Sequence, residues 1–487
     1  MNKDNIGKQI LKGTIWTVLM RLSIRLLGIL SIIILARLLV PEDYGLVAKA
    51  VLIGGMLELI TQFGFNAALI KNQQATRDDY DTVWTLSVIR SLVLSGLLAI
   101  CAPIISLYFE EPKIENLIYC YAFASALVGL YNVGIINFQK SMDFEKDFKF
   151  NFVKKIASFS TTITIAFFWE TYWAFPIGVL VGNVVGLVAS FIMSPYRPSV
   201  SLKAFNALFH FSKWMFLYES FAAISLKMDS FLLSKFGETE DLGIYTVSYE
   251  VAGIPSTEVA MPVARAALPG LAKLNDDKVS FQKMYCKILS SVLLIAVPAS
   301  VGLSLLANEI TLVVLGANWS KAGPVISILA LFGISRVVTA CAVSGLVAFN
   351  RADLLSKHSL SMMIIKFLLL PPAIIYFGYL GLAYAVLATG ILGVLIILLM
   401  QQQIGALIFT QLFSQIWRVT FSALIMASTL ILLTPLFASM VSISIYISLL
   451  IQVLIGVFIF ISSLALLCFL SNWKDSPEEK LYEMVKI

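Results

Sequence analysis

The 487-residue chain reads as an all-α polytopic membrane protein of about fourteen transmembrane helices, and three observations predict this. Hydrophobic residues make up 59% of the sequence and charged residues 13%, about half the charged share of a soluble domain, so the chain lacks the polar surface to cover a globule. Apolar stretches of roughly 20 residues, the length a helix needs to cross about 30 Å of hydrocarbon, recur from end to end. Motifs near the start also return near the middle, in register with those stretches.

In order, the expected spans are 13–38, 43–70, 80–109, 114–139, 150–169, 172–194, 213–236, 241–268, 285–306, 323–349, 358–378, 380–402, 417–437 and 444–471. The first is too long for a cleavable signal peptide and leads directly into further spans. The fifth opens on Lys154 and Lys155. The sixth carries Gly178, Gly182 and Gly186 on one face, a stripe suited to close helix packing. Between the sixth and seventh, residues 199–211 place Leu202, Phe205, Leu208 and Phe209 opposite Lys203, Asn206 and His210, which predicts an amphipathic helix lying on the inner membrane surface.

Loop charge sets the orientation. With a cytoplasmic N-terminus, the inner ends and loops hold Lys3, Lys8, Lys12, Lys71, Arg77, Lys140, Lys146, Lys149, Lys154, Lys155, Arg197 and most later lysines and arginines. The outer ends hold Arg37, Lys113, Lys235 and Lys321 amid Glu42, Asp43, Glu110, Glu111, Glu115, Glu170, Glu238, Glu240 and Asp241. This positive-inside pattern predicts an even number of spans with both termini cytoplasmic. The net charge of +6 therefore reflects topology, and a nucleic-acid surface would need a soluble basic domain that is absent.

The internal echo is specific. Arg37 precedes Glu42, Asp43 and Gly45, and Lys235 precedes Glu240, Asp241 and Gly243 with identical spacing; Gly134 with Phe138-Gln139-Lys140 is echoed by Gly345 with Phe349-Asn350-Arg351. Such duplication points to a transporter whose substrate lies between two halves. The five cysteines stand singly without a CxxC, so they read as packing residues rather than a disulfide framework or metal site. His210 and His358 fall at inner span edges and read as interfacial.

The stretch "ILARLLVPEDYGLVAKA", with "FGFNAALI" closing the second span and a lone aspartate, Asp229, in the seventh, resembles the polysaccharide transporter branch of the multidrug/oligosaccharidyl-lipid/polysaccharide flippase superfamily, the Wzx-type oligosaccharide flippases. The resemblance covers essentially the whole chain. It implies two parallel six-helix lobes, residues 1–196 and 213–403, joined by a cytoplasmic interfacial linker at 197–212. Two additional helices at 404–471 and a cytoplasmic tail at 472–487 complete the chain. It also implies movement of undecaprenyl-diphosphate-linked oligosaccharide between leaflets by alternating access, with no cofactor beyond a transmembrane proton or sodium gradient. The partners expected are the lipid-linked substrate, the membrane and a polysaccharide polymerase, with the chain itself a monomer.

Charges inside spans are expensive and mark function. The basic set, Arg21, Arg25, Lys49, Arg90, Lys227, Arg265, Arg336 and Lys366, outnumbers the acidic set of Glu58, Glu219, Asp229, Glu250 and Glu258. An anionic substrate fits this excess, because guanidinium forks bind phosphate oxygens bidentately; a cation-coupled multidrug exporter of the same fold, the alternative, calls for carboxylates. Arg21 and Arg25 share a helical face and are candidates to clamp the lipid diphosphate with Arg90, Arg336 and Lys366, or to staple helices against Glu58 or Glu219. Asp229, Glu58 and Glu258 are candidates for ion coupling, with a structural ion pair the other role open to Asp229. Pro255 and Pro262, with Pro269, recur every seven residues along the eighth span and predict either a bending gate or a static kink. A membrane glycosyltransferase or polymerase would need a sizeable surface for catalytic carboxylates or histidines, which the short loops do not supply, so no enzymatic activity is expected.

Overall fold

The structure is a computed structural model that describes residues 3–60, 69, 74–141, 143–205, 224–260, 271, 277–349, 351–439 and 444–471. Among the described residues the chain is helical, without strands, and it divides into two compact units, Met1–Gly243 and Ile244–Ile487.

In the first unit, α1 (Lys3–Leu38) turns into α2 (Pro41–Ile60) through a cap in which the Asp43 carboxylate accepts the Val40 N–H at 3.3 Å. Helix α3 (Arg77–Tyr108) opens the same way, with Thr76 N–H donating to Asp79 at 2.7 Å, a capping pattern that satisfies an otherwise orphaned donor. Helix α4 (Lys113–Gly129) breaks before a turn of 3-10 helix and α5 (Ile136–Lys140). The two arms are bent by 65°, and the break is held by the Asn132 side chain accepting from Gly134 N–H at 2.9 Å. Helices α6 (Phe144–Trp169) and α7 (Ala174–Met193) follow, then α8 over 224–236 and the start of α9 (Thr239–Ile254). Leu46, Leu94, Leu98, Leu117 and Ile118 form an uncharged core between α2, α3 and α4.

In the second unit, α9 passes at Pro255 into a π-helical segment, Pro255–Ala260, which packs on α10 (Lys278–Leu305) and α11 (Ala322–Ala348). Phe281, Tyr285 and Leu289 of α10 meet Val337 and Cys341 of α11 in its core. Helix α12 (Ala352–Gln403) is broken at Gly378, whose φ of 63° lies in the left-handed region that glycine tolerates. The break falls where the expected eleventh span ends. Helices α13 (Phe409–Ser439) and α14 (Ile445–Leu470) pack on each other and on α10.

Counted by length and composition among the described residues, seven helices are fit to cross a membrane, or eight if the bent pair is one span, against about fourteen expected. The protein is a multi-pass, all-α membrane protein. Helix α6 starts at Phe144, ahead of the expected fifth span, which puts Lys154 about 15 Å into the helix at 1.5 Å per residue. Residues 199–202 have no regular secondary structure and 203–204 form a turn, not the expected helix, because their backbone is tied to α3; residues 206–211 lie outside the described residues. His358 is 7% exposed, its Nε2 lying 3.1 Å from the Gly393 carbonyl oxygen, so it packs between the two arms of α12.

Candidate functional site

The glycine stripe on α7 creates the space for a half-buried cation. A Cβ on Gly182 would sit 2.8 Å from Ser158 Cβ, and one on Gly186 would sit 2.9 Å from Lys154 Cδ, so the absence of side chains lets α7 close on α6 and admits a lysine stem between them. The Lys154 ammonium lies 5.6 Å over the Tyr131 ring, in cation–π range. Two cavities meet here, sharing Val179 and Asn183. One, of about 310 Å³, is lined by Ile24 of α1 and by Asn151, Lys154, Lys155 and Ser158 of α6. The other, of about 380 Å³, is lined by Gly54, Gly55 and Glu58 of α2 with Tyr121 and Ser125 of α4. Asn183 is fixed at their junction by donating to the Ala124 carbonyl at 2.9 Å and accepting from the Tyr131 hydroxyl at 3.4 Å.

Glu58 interacts electrostatically with both Arg90 and Lys154. The structure thus brings together two sequence candidates, Glu58 and Arg90, and adds Lys154, which loop counting had assigned to an inner end. Arg25 is half-buried on α1 next to cavity-lining Ile24. The Arg21 side chain lies outside the described residues, as do the Glu258 side chain and Pro262. Asp229 is 6% exposed on α8, where its carboxylate accepts the Ser230 N–H at 2.9 Å. Arg336 and Lys366 belong to the second unit. The Arg336 guanidinium lies 5.4 Å over the Tyr249 ring beside Gly253, and Lys366 is half-buried on α12. Pro255 opens the π-helical segment, a local widening that recurs at functional sites.

At one end of the first unit the two copies of the repeated motif interlock. A Cβ on Gly45 would run into the Thr239 carbonyl oxygen, and one on Gly243 would run into the Pro41 carbonyl oxygen and approach Gly45 N to 2.9 Å. Each glycine makes room for the backbone of the other copy. The aspartates cap in parallel, Asp43 accepting from Val40 N–H and Asp241 from Glu238 N–H, each at 3.3 Å. Lysines tie the junction down: Lys49, 4% exposed, donates to Thr239 Oγ1 at 2.8 Å, and Lys235 donates to the Tyr108 carbonyl at 3.0 Å.

At the other end of α3, the buried Asp81 carboxylate accepts from the Tyr196 hydroxyl, from Ser199 N–H at 2.9 Å and from the Ser199 hydroxyl at 2.7 Å. Thr85 accepts the Ser201 N–H at 3.0 Å and Thr82 the Ala204 N–H at 3.2 Å. One face of α3 therefore straps down the irregular chain that follows α7. Burial, reinforced by the bond to Asp81, pushes the Tyr196 hydroxyl well above the usual tyrosine range.

Residues 34–324, more than half of the chain, match the polysaccharide biosynthesis protein family. The chain belongs to that family. Its relatives include the lipopolysaccharide biosynthesis protein WzxC of Escherichia coli K12, 24% identical over 77% of this chain and 76% of WzxC. They also include the teichuronic acid biosynthesis protein TuaB of Bacillus subtilis 168, 24% identical over 72% and 73% of the two chains. Among solved structures, the lipid II flippase MurJ in an inward closed conformation superposes with a TM-score of 0.73 at 15% identity, covering 94% of this chain and 99% of MurJ. An inward-facing multidrug MATE transporter superposes at 0.60 with 14% identity, over 80% and 98%. The family member described here therefore has the fold shared by MurJ and MATE transporters.

Sequence reasoning missed Lys154, Asn183 and Asp81 as site-building residues. For Lys154 a signal existed: the aromatic run Phe144, Phe148, Phe150 and Phe152 extends the apolar pattern back past the lysines. For Asp81 there was none, because its partners lie 115 and 118 residues further along.

Proposed function

We propose that this protein flips an undecaprenyl-diphosphate-linked oligosaccharide from the inner to the outer leaflet of the cytoplasmic membrane by alternating access. The product would feed a surface polysaccharide such as lipopolysaccharide O-antigen, capsule or exopolysaccharide. The observation that carries the proposal is the charge of the paired cavities, where Lys154 and Lys155 line one and a single carboxylate, Glu58, lines the other and interacts with Lys154 and Arg90. Membership of a polysaccharide biosynthesis family and the names of WzxC and TuaB support the glycan. The fold is common to MurJ and to MATE exporters, and the cavity charge favours an anionic cargo over the cations of a drug exporter.

In this mechanism Arg21 and Arg25, with Arg90 and Lys154, hold the diphosphate while the sugar occupies the polar cavity and the prenyl tail stays in lipid; Arg336 and Lys366 serve the second lobe. Asp229, Glu58 and Glu258 take up a proton or sodium ion, and Pro255 and Pro262 let the eighth span bend. The lobes are residues 1–196 and 213–403, with both termini and the 197–212 linker cytoplasmic. The protein works as a monomeric carrier, makes no covalent bond itself, and hands its cargo to a polymerase.

The test is surface glycan in a deletion strain complemented with Arg21→Ala, Arg25→Ala, the double variant and the corresponding Lys variants at matched membrane levels. Loss of one charge-assisted bond costs about 1.5–3 kcal/mol, or roughly ten- to a hundredfold in affinity, and Lys should rescue only in part, since it offers a point charge where arginine offers a fork. Wild-type glycan from the double Ala variant rejects the clamp. Unaltered glycan but increased drug sensitivity in the deletion strain favours the exporter.

A further inference from the structure

A third cavity, of about 440 Å³, lies away from the paired cavities, where α3 begins and the chain leaves α7. It is lined by Arg77, Tyr80, Asn137, Pro195, Tyr196 and Arg197. Two guanidinium groups line it and no carboxylate does. Arg77 has an exposed side chain (73%) whose recorded partner is Asp81, at 3.7 Å. Asp81 already accepts three hydrogen bonds from Tyr196 and Ser199, and it meets the Arg77 guanidinium at Nε. Arg197 uses Nη1 to donate to the Ser194 and Tyr196 carbonyls at 2.8 and 2.9 Å, which fixes the orientation of its fork at the cavity wall. A third cation stands behind: Lys140 Nζ is 3.5 Å from the Tyr80 hydroxyl and 5.6 Å over that ring. The Tyr80 hydroxyl in turn donates to Asn137 at 2.5 Å, so the wall is braced before any ligand arrives. The nearby carboxylates are engaged elsewhere: Asp78 faces Lys203 at 3.5 Å and Asp79 caps Thr76.

We propose that this cavity binds a phosphate ester, held by the forks of Arg77 and Arg197 over the Tyr80 and Tyr196 rings, as a second site distinct from the transport cavity. Paired planar guanidiniums match phosphate oxygens, and the cavity sits at the end of a 32-residue apolar span, where basic pockets meet lipid head groups. Because Tyr196 and Arg197 belong to the strap held by Asp81, an occupant would brace the start of the linker against α3 and α5. The proposal is independent of what is transported.

The source of the phosphate is decided by thermal unfolding of the full-length protein in phosphatidylcholine nanodiscs. One arm adds phosphatidylglycerol to the bilayer, and the other adds inorganic pyrophosphate to the buffer. Wild type should gain about 2–4 °C in melting temperature. A gain with phosphatidylglycerol alone identifies a lipid head group; a gain with pyrophosphate identifies a soluble phosphate. The double variant Arg77→Gln/Arg197→Gln should lose the gain. Because Arg197 also braces the strap, Asn137→Asp serves as a second variant: it keeps the acceptor for Tyr80 and adds a negative charge to the lining, so it should abolish binding in a folded protein. Equal stabilisation of wild type and Asn137→Asp, or no stabilisation of wild type by either anion, overturns the site.

Discussion

Replacing Gly45 by alanine should weaken the interlock of the two repeated motifs. The new Cβ would lie 2.7 Å from the Thr239 carbonyl carbon and 2.9 Å from Thr239 Cγ2, where unstrained carbon pairs sit about 3.5–4.0 Å apart. The start of α9 must therefore retreat by about 1 Å, and backbone cannot swing aside as a side-chain tip would. Overpacking of this kind costs about 1–3 kcal/mol, and the retreat also stretches the 2.8 Å bond from Lys49 to Thr239. If the carrier alternates between a state with the motifs joined and one with them apart, that cost shifts the equilibrium away from the joined state by about 5- to 150-fold. Gly243→Ala, which drives its Cβ into the Pro41 carbonyl, should act in the same direction. The assay is the distance distribution between spin labels at Glu42→Cys and Glu238→Cys, both exposed, in a background with the five native cysteines replaced by serine. The short-distance population should fall in either glycine variant, with a parallel loss of surface glycan. An unchanged distribution with wild-type glycan would refute the assignment of these glycines to a closing contact.

Three further outcomes are expected. Lys154→Ala should lower glycan output by roughly ten- to a hundredfold at matched membrane levels, the loss of one charge-assisted contact, while Lys154→Arg retains most of it; equal output from Ala and wild type would return Lys154 to packing. Asp81→Asn should cost about 2–4 kcal/mol, because a buried charged acceptor of several donors is lost, and should speed tryptic cleavage after Lys203 at least tenfold; an unchanged rate would show that the strap does not depend on the carboxylate. Asp277, which caps α10 by accepting the Val279 and Ser280 N–H groups, is held below the ordinary carboxylate value first by the Ser280 hydroxyl. A carboxyl depressed in the folded state stabilises above its unfolded value of about 3.9 and loses that contribution as pH falls through the folded one, so Asp277→Ala should lower the melting temperature near pH 7 and converge with wild type under acid; a gap that persists at low pH contradicts the cap.

The class of the protein and the placement of its helices were legible in the chain because both depend on neighbours in sequence. Hydropathy over some 20 residues decides whether a segment enters hydrocarbon, and the break at Gly378 fell where the apolar pattern paused. The equivalence of the Glu42-Asp43-x-Gly45 and Glu240-Asp241-x-Gly243 motifs was visible too, but not its cause. Capping by the aspartates is local; the need for glycine arises only when each motif presses its backbone on the other, about 200 residues away. The excess of intramembrane cations was likewise countable, whereas their company was not. Lys154 became a cavity residue because Gly186, on a different helix, leaves room for its stem, and Asp81 became an anchor because the chain returns to it after α7. Composition and periodicity determine what each segment can bury. Which faces meet is decided by packing among helices distant in sequence, and at this site those contacts set where the charges stand.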